Sequence, residues 1–240
     1  MTFPPVTPHS LPEPIGDDLF VVYGSVQFNP VVRFTRNMAI VRDGNALTLI
    51  NPVRMDAAGL AALEDLGEVQ HLLRLGPMHG LDDPFYKDRY PGAVFWAFPG
   101  GTTYTEPPVE QVLEEGGALP FSSAQLFEFH GLSEREGAVL LQRQPGVLLA
   151  CDGIQSYATP PHKPHTNLLA RLLMPYIGFP NETLIGPAWV KMLAPDKTAL
   201  KAEFERLLTL DFDQLLAAHG TFLASGAKAE VQQAVQQRFD

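Results

Sequence analysis

Residues 69–86 read "VQHLLRLGPMHGLDDPFY". The apolar run "VQHLLRL" predicts a strand, and the "PFYKDRY" that begins at Pro84 predicts a short helix. Between them a loop presents His79 and, four positions on, Asp83. Two chemistries compete for Asp83. Followed by Pro84, it suits the N-cap of a helix whose first turn opens on proline. In a loop with a histidine at a strand end, it equally suits coordination of a metal ion. It cannot easily do both with the same oxygen.

Three further apolar runs end in the same way. "LFEF" leads to His130, "VLLAC" to Asp152 and "QLLAA" to His219. In open α/β architectures the loops beyond the carboxyl ends of strands converge over one edge, so residues at four strand ends can share one small volume. Each residue also has an ordinary reading. His130-Gly131 and His219-Gly220 fit plain strand exits, and Asp152-Gly153 fits a common turn. The coincidence across four strand ends is what points to a site. Imidazole nitrogen and carboxylate oxygen suit zinc, iron or manganese.

Working outward, "LFVVYG", "SVQFNPVVRFT", "MAIVRDG" and "ALTLIN" read as strands, the last two joined by an Asp-Gly hairpin. "MDAAGLAALEDLG" reads as a helix capped by Asp56 and stopped by Gly67. "AVFWAF" reads as a strand and "PPVEQVLEEG" as a helix with prolines at its start. "AQLFEF", "AVLLQR" and "VLLAC" return to strands, with Pro145-Gly146 at the last turn. "TNLLARLLMPYIG" and "PDKTALKAEFERLLTLD" read as helices, the second supported by a Lys201/Glu205 pair at i,i+4. "LLAAHG" and a polar helix from about Lys228 to Arg238 close the chain. This order fits mixed sheets with helices on their outer faces.

The composition fits such a core: of 240 residues, 45% are hydrophobic and 18% charged. A net charge of −10 argues against nucleic acid and anionic membranes as partners. The single cysteine, Cys151, argues against a disulfide framework and fits a reducing cytoplasm. "MTFPPVTPHSLPEP" lacks the pattern of a signal peptide and reads as an extended arm. The expected organisation is an arm over residues 1–18 and one domain over 19–240.

"VLLACDG", "LLAAHG" and the histidine after "LFEF" together resemble the metallo-β-lactamase-fold superfamily, from about residue 19 to 225. The resemblance implies an αββα sandwich of two mixed sheets flanked by helices. It implies metal ligands at one edge, with Asp152 in the place of the bridging aspartate and His219 in that of the final histidine. His130 takes the place of the histidine between these and the first loop. The family's loop reads His-x-His-x-Asp-His; here His79 and Asp83 are kept, but Leu81 and Pro84 replace the other two histidines. A full two-metal site is therefore not expected.

The resulting expectation is a hydrolase acting on a small ester, thioester or phosphoester through hydroxide on one divalent ion. His79, Asp83, His130, Asp152 and His219 are its candidate ligands, with Asp83 as general base if it is free of metal. Two alternatives stand beside it: a catalytically degenerate binding protein of this fold, or an oxidative enzyme with a single iron. His162 and His165, in a proline-rich loop, read as solvated or as part of a lid. His71 and Cys151 read as core residues.

Overall fold

Most strands of this chain are apolar at nearly every position, which requires both faces of a sheet to be covered. The computed structural model, which describes residues 3, 5–29, 32–157, 166–173 and 181–240, shows how. Strands β1 (Glu13–Gly16), β2 (Leu19–Asn29), β3 (Val32–Asp43), β4 (Ala46–Ile50), β5 (Glu68–Arg74), β6 (Val94–Ala97) and β7 (Gln111–Val112) form one sheet in that order. It is antiparallel from β1 to β4 and parallel from β4 to β7. Strands β8 (Ala124–Phe129), β9 (Glu136–Leu141), β10 (Val147–Ala150) and β13 (Gln214–Ala217) form a second sheet in the order β13-β10-β9-β8. Only its β10–β13 pair is parallel. β11 (Ile154–Ser156) and β12 (Thr183–Ile185) make a separate antiparallel ribbon.

Alternation along single strands sorts the side chains into three layers. Val147 and Leu149 of β10 face Leu19, Val21, Val41 and Leu73 of the first sheet. Leu148 and Ala150 face outward, against Trp189 of α4 (Pro187–Leu193), Phe204 of α5 (Lys197–Leu207) and Val231 of α6 (Ala227–Phe239). Phe20, Val22, Ile40 and Leu49 cover the other outer face with Leu60 and Leu63 of α1 (Ala57–Glu64) and Tyr86 of α2 (Asp83–Arg89). The result is the expected αββα sandwich.

Several local expectations are corrected. The strands expected at 19–24 and 25–35 fall instead on one long strand, β2, and the start of β3. The helix expected in "PPVEQVLEEG" is instead the short strand β7. Val109 and Leu113 have helical spacing, yet the amides of Glu110 and Leu113 donate to Phe95 and Ala97 of the neighbouring strand. The helix expected from Thr166 is α3 (Leu168–Leu173) among the described residues. Lys201 reaches Asp240 at 2.6 Å instead of Glu205. The ribbon β11–β12 and helix α4 were not foreseen. The segment read as an extended arm carries β1, and His9 accepts the amide of Asp56.

Side chains of β3 tie the two sheets together at the exit of β13. The Asn37 amide NH2 donates to the carbonyls of Ala217 and Gly220, at 2.9 and 3.0 Å, and its backbone N–H donates to Ala218. Gly220, at φ +94°, passes so close to the Ser156 carbonyl that any Cβ would collide with it. Replacing Asn37 by alanine leaves two buried carbonyls short of a donor. We expect Asn37→Ala to cost on the order of 2 kcal/mol in denaturant unfolding; a change within about 0.5 kcal/mol would show that the link is not needed.

Candidate metal centre

Three of the strand ends meet. His79 follows β5, Asp152 follows β10 and His219 follows β13, and all three side chains are buried. Asp152 Oδ1 lies 3.1 Å from His219 Nε2, and Oδ2 lies 3.2 Å from His79 Nε2. The two imidazole rings are 5.1 Å apart, and one donor atom from each of the three residues falls within 4.8 Å of the others.

The tautomer of His219 is set by its other nitrogen. Nδ1 lies 2.5 Å from the Thr35 carbonyl, which can only accept, so the N–H sits on Nδ1. This turns Nε2 toward Asp152, where the neutral ring offers it, with the carboxylate, to a metal ion. Burial lowers the pKa of His79 below its usual value, against the opposing pull of Asp152, and so favours the neutral form that binds metal. Burial also pushes Asp152 upward, but the neighbouring imidazoles outweigh it and hold the carboxyl well below the usual range. The donor set fits a divalent ion.

The loop bearing His79 is braced from behind. Arg36 donates one guanidinium nitrogen to the His79 carbonyl at 2.9 Å and another to Asp82 at 2.7 Å. Asp82 also accepts the amide of Arg54 at 3.1 Å. Thr35, Arg36, Asn37 and Asp82 were missed in the sequence. The signal available was the polar run Thr35-Arg36-Asn37 inside an otherwise apolar strand.

Asp83 is neither the cap of α2 nor among the residues that meet at Asp152. The N-cap of α2 is Asp82, and Asp83 is the helix's first residue. Its carboxylate accepts from Arg74 at 3.1 Å, and the charges acting on it are those of Arg74, Arg36 and Asp82. His130 is not brought to the centre either. It directly follows β8, which β9 separates from β10, hence roughly 10 Å away across the sheet. Its side chain is 59% exposed, beside Glu203 and Glu115 at 3.3 and 3.6 Å. His71 accepts from the Trp96 indole at 3.2 Å, and Cys151 is a buried thiol. His162 and His165 lie outside the described residues.

Two packed mixed sheets with helices on both outer faces make the metallo-β-lactamase fold. The solved structures this chain resembles bear this out. The DIM-1 metallo-β-lactamase exposed to ceftazidime matches with a TM-score of 0.68 at 9% identity, over 98% of this chain and 100% of that one. The mono-zinc form of the metallo-β-lactamase FIM-1 from Pseudomonas aeruginosa matches at 0.66 and 12% identity, over 98% of each chain. A metallo-β-lactamase from Erythrobacter litoralis matches at 0.59 and 9%, over 94% and 92%. In sequence, the chain matches no family model and no curated protein.

Burial raises the pKa of Asp83 from its ordinary value of 3.8 to about 7, outweighing Arg74. The folded state therefore binds a proton that the unfolded state has released, and its stabilising effect, complete below about pH 4, is lost as pH rises through 7. Unfolding free energies measured from pH 4 to 8 should fall more steeply with pH in the wild type than in Asp83→Asn. Parallel curves would refute this assignment.

Proposed function

We propose that the chain is a metal-dependent hydrolase using one divalent ion held by His79, Asp152 and His219. The observation that carries this reading is the buried convergence of one donor atom each from His79, Asp152 and His219 within 4.8 Å, with His219 oriented by the Thr35 carbonyl. When bound, the ion supplies Lewis-acid chemistry, polarising a carbonyl or phosphoryl oxygen and lowering the pKa of water. The chain supplies the rest. Thr35 fixes the orientation of His219, Arg36 fixes the backbone of His79, and burial limits competing water. A small ester, thioester or phosphoester is the proposed substrate class. The neighbour FIM-1 is described in a mono-zinc form, which supports a single-ion reading.

Two imidazoles and one carboxylate are also the donor set of non-haem iron oxygenases. Metal identity therefore separates hydrolysis from oxidative chemistry. Protein purified without a histidine tag should carry an equivalent of metal at the histidine site, which is lost in His79→Ala, Asp152→Ala and His219→Ala but kept in His130→Ala. Zinc with turnover of an ester, thioester or phosphodiester supports the hydrolase; iron as the native metal favours the oxidative reading. A folded wild type that binds neither zinc, iron nor manganese would leave a binding protein of this fold.

A further inference from the structure

Beside the two histidines, Asp152 has a second set of neighbours. Glu136 opens β9, and Cys151 and Asp152 directly follow β10, so the antiparallel pairing of these strands brings the three residues to one edge. One donor atom of each lies within 4.8 Å of the others. All three are buried: Glu136 is wholly inaccessible, Cys151 1% exposed and Asp152 5%. The Cys151 Sγ lies 3.8 Å from Asp152 Oδ2, the oxygen that also faces His79.

Glu136 is the informative member. Its Oε1 accepts the amide of Gly153 at 2.7 Å, but Oε2 has no hydrogen-bond partner among the described residues. The Trp189 indole N–H and the Asp152 amide also stand close to this carboxylate, though neither meets Oε2 in normal hydrogen-bond geometry. A buried carboxylate oxygen left in this state is costly, and unpaired buried charge is avoided unless a cation or hydrogen bonds offset it. Residue 76 packs closely over Oε2 and the Cys151 thiol, and only glycine fits there. A Cβ on Gly76 would stand 2.5 Å from Oε2 and 2.7 Å from the Cys151 Sγ.

We propose that Glu136, Cys151 and Asp152 form a second cation site, sharing the Asp152 carboxylate with the His79/His219 site. This rests on the single-ion reading above for its first site only. One thiolate and two carboxylates suit a borderline-soft divalent ion such as zinc, for which cobalt(II) is a spectroscopic probe. A bound ion deprotonates a coordinating thiol outright, so the buried Cys151 would serve as a ligand and not as a nucleophile. With Glu136, Cys151 and Asp152 deprotonated, two divalent ions offset their three negative charges. The second position would thus be built on the β9–β10 edge and not on the first loop, where Asp83 is engaged by Arg74.

The test is titration of the metal-free protein with cobalt(II), followed by absorbance and by equilibrium dialysis with metal analysis. The expected result is two equivalents bound, with a thiolate-to-cobalt charge-transfer band in the near ultraviolet. Cys151→Ser should abolish the band. Glu136→Gln, nearly isosteric, should weaken the band-forming equivalent by roughly tenfold or more and leave the other in place. His79→Ala and His219→Ala should do the reverse, losing the equivalent without the band. One equivalent and no thiolate band in the wild type would overturn the second site while leaving the histidine site standing. A thiolate band that survives while the histidine variants bind as the wild type does would leave the second site standing and remove the first. No binding by the folded wild type would overturn both.

Discussion

A single ionised carboxylate, that of Asp152, sits at the seam between the two sheets with an imidazole nitrogen close to each oxygen. An anion so placed is tolerable only with partners held in good geometry. Much of the surrounding polar structure serves that end without touching it. The Thr35 carbonyl and hydroxyl grip His219 and the amide of Gly220. Asn37 pins the strand before them, and Arg36 holds the loop of His79. These three residues are consecutive on β3, so the first sheet organises ligands that belong to both sheets.

The burial of the strands explains which parts of this arrangement were legible in the sequence. Apolar runs such as "VLLAC" and "QLLAA" announce strands with both faces covered, and the residues that end them mark one edge of the sandwich. His79, Asp152 and His219 could be named for that reason. Spatial strand order is not written in local pattern, and His130 shows the consequence. Its strand ends at the same edge as β10, yet β9 lies between them and the side chain turns toward Glu203. The helix read into "PPVEQVLEEG" failed for a related reason. Its amides found acceptors on β6, a partner no local rule could supply.

Asp83 was judged between capping and metal binding because both are local roles. What decides its position is Arg74, nine residues upstream at the end of β5. Asp82 is held by Arg36, 46 residues away. Glu136 gave little warning, since a charged residue in "SEREGAVLL" reads as a solvated turn. Only the antiparallel pairing of β9 with β10 carries it to the Asp152 edge.

The loop after β5 brings one side chain, His79, to the Asp152 edge, and the acids beside it are engaged by fixed guanidinium groups. Arg36 and Arg74 pair with Asp82 and Asp83, at 2.7 and 3.1 Å, and Arg54 stands 3.8 Å from Asp82. A covalently attached cation neutralises a buried acid permanently, whereas a metal ion does so only while it is bound. Buried pairs of this kind add little net stability over an apolar core, but breaking one is expensive. Their effect here is therefore positional. The loop is set before any ion arrives, and His79 is presented to Asp152 by Arg36's hold on its carbonyl. The metal donors without a fixed guanidinium partner are thereby those of the Asp152 edge.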